Sequence, residues 1–402
     1  MEQTLGKLCL KKGREKPVNN HHPWIFSGAI SDIVGGEVKP GELVDVVGAN
    51  GKWLAKAYFN PLSQIQARIL SWDPGQTIDE GFWREKLKQA IGLRDILQLE
   101  PSTTAYRLVN AEADGIPGLV VDKYNTYLVF QALTAGIDQR KEMLVSILAE
   151  LLSPDGIVER SDVNVRKKEG LSKVTGIRFG ASPPGNITVL ENGQSFIVDL
   201  FRGHKTGLYL DQRENRATVC RSENVAGREL LNVFAYTGGF AVNAAAAGAS
   251  RIVNIDTSTT MLEGARQNMM LNGWERTHDE YITGDAFLKL RQLRDEGRQF
   301  DIAIVDPPKF AQSKGDVPAA CRGYKDINML AMQLLRRNGL LATFSCSGLI
   351  DSGLFQKVLF GASIDAGRDV QIMRPLSQAP DHPVLLTFPE SSYLKGFFCR
   401  VC

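Results

Sequence analysis

The 402-residue sequence predicts an α/β protein whose C-terminal half is a doubly wound parallel sheet, preceded by a small β-barrel and a small α+β domain. Three observations carry this expectation. Short apolar runs broken by Gly, Pro and Asn fill residues 1–73. Two helical patterns with strand-like runs between them occupy residues 77–190. From about residue 200, strands and helices alternate, as parallel sheets require.

The barrel strands are read from Glu42–Val47, Trp53–Tyr58 and Ile65–Leu70, with Asp73-Pro74-Gly75-Gln76 as the exit turn. Helices are expected from Phe82 to Leu97 and from about Asp138 to Leu152, where apolar residues recur at helical spacing. Strands are expected at Leu119–Val121 and Tyr127–Phe130. Asn192-Gly193, set between Ile187–Leu190 and Ser195–Val198, is a two-residue hairpin signal. In the last segment, strands at Leu230–Phe234, Arg251–Ile255, Asp301–Val305 and Gly339–Phe344 alternate with helices. The helices are read at Phe240–Ala247, Ser258–Leu271 and Tyr324–Arg336. The expected domains are 1–74, 75–190 and 191–402.

Hydrophobic residues make up 43% and charged ones 23%, a globular balance, and the formal net charge of +2 permits nucleic-acid binding without demanding it. No run approaches the roughly 20 apolar residues that span a bilayer. Lys7, Lys11, Lys12, Arg14 and Lys16 interrupt the N-terminus where a signal peptide would be apolar, so a cytoplasmic location without membrane contact is expected. Six cysteines in a chain of this length do not make a disulfide framework, and the lone Cys399-x-x-Cys402 pair reads as packing. His21, His22 and His204 show no metal spacing and read as surface or capping residues, so no metal is expected.

Ala235-Tyr236-Thr237-Gly238-Gly239-Phe240 stands at the first strand-to-helix turn of the parallel sheet. Glycines there let the backbone approach a ligand, and a helix N-terminus favours an anion. Asp256 ends the next strand, where a carboxylate can hold a ribose diol, and Gly284-Asp285-Ala286 after the third can meet an adenine. A dinucleotide or an S-adenosyl cofactor would fit, although the full G-x-G-x-x-G pattern of the former is absent. Asp306-Pro307-Pro308-Lys309 and Ser345-Cys346-Ser347 each follow a buried strand, so both should open on one crevice at the carboxyl edge of the sheet. A thiol and a carboxylate there suit chemistry on an electron-poor ring. Cys346 is read as the reactive thiol rather than a buried hydrophobe. Cys321, placed in a loop after the Asp-Pro-Pro motif, is its rival.

Taken together, these segments resemble S-adenosylmethionine-dependent RNA methyltransferases. More narrowly, they are similar to the bacterial 23S ribosomal RNA cytosine-5 methyltransferases with an N-terminal PUA domain. The likeness rests on His22–Ile30, Gly203–Arg213, Asn232–Phe240, Asp306–Phe310, Gly323–Asn328 and Thr343–Gly348. It implies a PUA-like barrel, a Rossmann-like methyltransferase domain, S-adenosyl-L-methionine as cofactor and 23S ribosomal RNA as partner, with monomer and homodimer both open. It also implies that Gln212, Arg213, Asp256, Asp285 and Asp306 line the cofactor pocket together with Asn232, Phe234, Tyr236, Thr237, Gly238 and Gly239. Cys346 would be the nucleophile. One departure is that Asp306-Pro307-Pro308-Lys309 lacks the second cysteine that another cytosine methyltransferase group carries there. In that respect it is more like RNA uracil-5 methyltransferases.

The chemistry explains the residue types. Carbon 5 of a pyrimidine becomes nucleophilic once a thiolate adds at carbon 6, which divides one hard step into easier ones. A free thiol has a pKa near ~8.5, so positive charge must favour the thiolate, and Lys309 is the candidate. Asp306 would hydrogen-bond the base edge or protonate ring nitrogen 3. Asp381, His382 and Glu390 are candidates for removing the carbon-5 proton. The N-terminal lysines and Arg166-Lys167-Lys168 are candidate phosphate contacts, while Trp24, Phe26 and Trp53 read as barrel core more than as base-stacking residues. The rival readings are methylation of another base or a ring nitrogen, and a non-catalytic ribosome-assembly factor.

Overall fold

The computed structural model describes residues 6–203, 206–274 and 276–402. His204 therefore lies outside the described residues. The chain divides into two compact units. One comprises Met1–Val189, Val198–Leu210 and Pro380–Ser391, the other Leu190–Ile197, Asp211–Ala379 and Ser392–Cys402.

In the first unit, a six-stranded sheet contains Leu43–Val47, Trp53–Phe59 and Ile65–Ser71 where alternation and turns predict strands. Its interior is lined by Leu8, Val44, Val46, Ala55, Ala57 and Ile69. The three aromatics expected in that core are not there. Trp24 is half-buried and Phe26 is 48% exposed, because Trp24–Phe26 is an edge strand whose only buried residue is Ile25, and Trp53, also half-buried, donates its Nε1–H to Asp45 Oδ1 at 2.9 Å. A five-stranded sheet follows, with helices at Glu80–Ile96 and Ala135–Leu152. Asp79 caps the first helix by accepting from Phe82 N. The barrel and this layer share apolar packing. Tyr58 is fully buried, its hydroxyl 2.7 Å from Pro117 O, among Leu43, Trp83, Leu87 and Val109.

The Asn192-Gly193 hairpin forms as expected between Asn186–Glu191 and Gln194–Asp199, with φ of 49° and 81° at its two central residues.

The second unit is built on a seven-stranded sheet. Its spatial order is Glu280–Thr283, Arg251–Asp256, Glu229–Val233, Phe300–Val305, Leu335–Ser345, Lys395–Val401 and Val370–Ser377. Among the described strands of this sheet, only Lys395–Val401 runs against the others. The strand order reverses between Glu229–Val233 and Phe300–Val305, the position where open α/β sheets leave a crevice at their carboxyl edge. Apolar residues from both neighbouring helices and strands, including Leu231, Val305, Tyr324, Leu341 and Phe355, fill the core beneath.

Further sequence expectations need correction. The helix read at Tyr324–Arg336 spans Val317–Gln333, with Pro318 in its first turn, where a missing N–H is tolerated. Cys321 consequently sits on this helix and not in a loop. Arg166, expected with Lys167 and Lys168 as a charged run, turns inward instead. It is 2% exposed and donates to Ser172 O at 2.6 Å and Asp138 Oδ1 at 2.9 Å.

Candidate active site

The turn expected to meet a cofactor, after Glu229–Val233, is strained. Phe234 and Tyr236 both adopt left-handed φ, 64° and 50°, conformations that side-chain-bearing residues hold only where the surroundings enforce them. Two contacts enforce them here. Tyr236 N donates to Asp256 Oδ2 at 2.9 Å, and Thr237 O accepts from Asn268 Nδ2 at 2.9 Å. Gly238 has φ of 78°, and a Cβ there would lie 2.9 Å from Ala265 Cβ, so no larger residue fits. Asp256 also accepts from Ser258 N through its second oxygen, which aims the carboxylate at the turn.

The helix Gly239–Ala246 begins at this turn, and Arg216 packs against Gly239, whose Cβ would meet Arg216 Cδ at 3.0 Å. Arg216 is held by Glu191, both buried. One helical turn earlier, Gln212 is 2% exposed and its Oε1 accepts from Asn215, while its Nε2 is buried without a partner among the described residues. Such an orphaned amide suits a ligand acceptor. Arg213 beside it is fully buried. Asn232 lies beneath the turn, bonded to Asn254 at 3.0 Å. Asp285 is exposed and caps the next helix through Leu288 N.

On the substrate side, Asp306 follows Val305, whose strand neighbours are Val233 on one side and Thr343 on the other. The Asp306 N–H points to Val233 O at 3.4 Å, so Asp306 stands directly beside the turn that begins at Phe234. Cys346 leaves the next strand and is half-buried. Ser345 and Ser347 on either side of it are fully buried and tied down. Ser345 Oγ donates to the Tyr324 hydroxyl at 3.0 Å, and Ser347 Oγ lies 3.1 Å from the same hydroxyl. Ser347 Oγ also accepts from Ala311 N at 3.3 Å, joining the cysteine loop to the Asp-Pro-Pro loop. Two anchored serines thus present the thiol between them. Burial is the main influence raising the Tyr324 hydroxyl pKa, opposed by its two serine bonds.

Sequence reasoning missed two residues. Tyr324 enters the sequence reading as the start of a helix and within a resembling segment, with no role at the thiol. Lys395 pairs with Ser345 across the antiparallel strands and donates to Ser347 O and Ile350 O, both at 2.7 Å. Burial pushes its ammonium down to about 8, and the nearby Cys346 and Asp351 oppose that shift. A lysine opening a terminal strand whose next four residues, Gly396 to Cys399, are uncharged is its one visible signal. Lys309 is exposed and its charge is felt at Lys395.

The three candidate bases are engaged within the first unit. Asp381 accepts from Arg107 N at 2.9 Å and, through its carbonyl, from Arg94 at 2.7 Å. His382 is buried beside Asp381, and Glu390 meets His22 at 3.3 Å. Cys399 is a buried core thiol raised to about 12 by desolvation, consistent with packing.

The S-adenosylmethionine-dependent methyltransferase profile matches residues 177–359 and the PUA-like domain profile matches residues 8–72. The ribosomal RNA large subunit methyltransferase I of Aliivibrio fischeri is 48% identical over 394 residues, covering 98% of this chain and 99% of that protein. Its Shigella boydii counterpart is likewise 48% identical, over 395 residues covering 98% of this chain and 99% of that protein. This chain belongs to the ribosomal RNA large subunit methyltransferase I family. It is an S-adenosylmethionine-dependent methyltransferase with an N-terminal PUA-like domain. The fold extends further than the sequence likeness. A solved structure from Streptococcus mutans, described as a SAM-dependent methyltransferase, superposes with a TM-score of 0.85 at 22% identity, over 98% of this chain and 100% of that one. A methyltransferase structure complexed with SAH superposes with a TM-score of 0.86 at 22% identity over the same shares. The orphaned Gln212 amide and the enforced turn at residues 234–239 fit such a cofactor.

Proposed function

We propose that this enzyme methylates carbon 5 of a cytosine in 23S ribosomal RNA through a transient bond to Cys346. The observation carrying the reading is the half-buried Cys346 between two anchored serines, just past the end of the strand that adjoins the one leading into Asp306. The relatives' printed name supplies the large-subunit RNA. The three segments 1–74, 75–190 and 191–402 would then divide the labour, the last carrying the chemistry, in the cytoplasm where ribosomes are built.

Gln212, Arg213, Asn232, the turn from Phe234 to Gly239, Asp256 and Asp285 would hold the cofactor. When bound, S-adenosylmethionine supplies an electrophilic methyl group. Cys346, as thiolate, adds to carbon 6 of the base, and the displaced electron pair makes carbon 5 nucleophilic. Asp306 holds the base edge and passes a proton to ring nitrogen 3 as the adduct forms. Lys309, exposed beside it, adds positive charge at the mouth of the site. Loss of the carbon-5 proton after methylation expels the sulfur and restores the ring. A base stacked in folded RNA must first be turned out to meet the thiol.

RNA containing 5-fluorocytosine tests this, because fluorine at carbon 5 blocks the elimination. A covalent enzyme–RNA complex that disappears in Cys346→Ala is expected. Trapping by 5-fluorouracil RNA alone would move the target to uracil, and a complex surviving Cys346→Ala would refute the nucleophile.

A further inference from the structure

Lys395 is a buried cation that the reaction above leaves without a role. Its position follows from the sheet. It opens the antiparallel terminal strand and pairs with Ser345, the residue before Cys346. Gly396 permits that close approach, since a Cβ there would lie 2.5 Å from Phe344 Cδ1 and 2.8 Å from Thr343 O. Lysine Nζ has three N–H donors. Two of them hold Ser347 O and Ile350 O, each at 2.7 Å, and so clasp the backbone just after Cys346.

Neutral carbonyls satisfy these donors but do not balance a full charge removed from water. The charged and titratable groups facing Lys395 come from three directions. Cys346 follows the paired strand, Asp351 caps the next helix, and Lys309 belongs to the Asp-Pro-Pro loop. Tyr324 faces Cys346 from the helix behind. Asp351 is exposed and its Oδ1 accepts from Leu354 N at 2.7 Å, while Lys309 has the wrong sign. The Cys346 sulfur is therefore the anion that best matches this ammonium.

We propose that Lys395 is the positioning residue of the nucleophile: its ammonium clasps the loop from Ser347 to Ile350 and keeps Cys346 as the thiolate. Sequence reasoning assigned that charge to Lys309. The inference rests on Cys346 being the nucleophile. The thiol's proton leaves to solvent, and the thiolate stays paired with the lysine.

Alkylation of Cys346 by iodoacetamide, followed across a pH series by peptide mass, tests the inference without needing catalysis. In Lys395→Met the midpoint of the alkylation profile should rise, and reactivity at neutral pH should fall about tenfold for each whole pH step that the midpoint climbs. Lys395→Arg should keep the wild-type midpoint. An unchanged midpoint in Lys395→Met, or the same displacement in both variants, would overturn the proposal. A second measurement uses the wild-type enzyme, so that folding of a variant does not enter. Salt of about 1 M, where screening acts over ~3 Å, should leave the midpoint in place, since the cation is buried. A midpoint that climbs with salt would assign the charge to exposed Lys309 and overturn the proposal. Methylation surviving in Cys346→Ala would instead defeat the nucleophile reading, which the alkylation series does not address.

Discussion

The hydroxyl of Tyr324 lies 3.0 Å from Ser345 Oγ and 3.1 Å from Ser347 Oγ, so one helical side chain holds both shoulders of Cys346. Tyr324 is itself fully buried against Phe310 and Phe355. Removing only its hydroxyl would leave two buried serines short of a partner. Tyr324→Phe should therefore cost about 1–3 kcal/mol in stability, read by urea unfolding. It should also lower kcat more than it raises KM, because the thiol is misplaced while the RNA surface is intact.

The turn proposed to hold the cofactor offers a sharper test. Gly238 combines a left-handed φ of 78° with a neighbour 2.9 Å from where a Cβ would stand. Gly238→Val should abolish measurable S-adenosylmethionine binding in a calorimetric titration while the sheet stays folded by circular dichroism. Asp256→Ala should act more mildly. It removes the acceptor for Tyr236 N and Ser258 N, and a tenfold weaker Kd, about 1.4 kcal/mol, is the expected minimum.

Glu191 reaches Arg216 from the hairpin, and both side chains are almost completely buried. Glu191→Ala would remove the buried carboxylate that pairs with Arg216 next to Gly239. Breaking one side of such a pair typically costs about 3–5 kcal/mol, so the Tm of the variant should fall clearly. Cofactor affinity should drop with it, since the helix N-terminus loses its support.

Alkali should improve the contribution of Lys395 to stability and end its advantage to the thiolate. Burial holds the folded Lys395 at about 8 against an ordinary value of 10.5, so the unfolded chain binds this proton more tightly. The contribution of Lys395 to stability is then lowest below about 8 and improves as pH rises towards 10.5. Over the same window the cation beside Cys346 is lost, but a thiol of ordinary pKa ~8.5 ionises there unaided, so the activity gap between wild type and Lys395→Met, wide at neutral pH, should close. Comparing denaturation and turnover of wild type and Lys395→Met across this range checks both signs. In the variant, the stability gain should vanish.

The basic segments expected to contact phosphates were only partly legible. Lys7, Lys11, Lys12, Arg14 and Lys16 are all exposed, as a solvated or phosphate-binding face would be. Arg166 looked identical to Lys167 and Lys168 in the sequence, yet it is spent on backbone carbonyls and Asp138. Charge in a run does not reveal which member turns inward, because that depends on acceptors brought from other elements.

What the sequence determined by itself was local: the alternation of strands and helices, the Asn192-Gly193 hairpin, the glycine turn and a cysteine at a strand's end. Periodicity and turn chemistry act over a few residues, so they can be read without a fold. Tertiary structure alone decided which cation stands by Cys346 and what becomes of Asp381 and His382. Lys395 reaches Ser345 through antiparallel pairing with a distant strand, and that register is written nowhere in its own neighbourhood. Asp381 lies between the last two strands in sequence, yet its partners Arg94 and Arg107 draw it into the first unit. Contacts between residues so far apart depend on how the whole chain closes up, and local pattern carries no record of that.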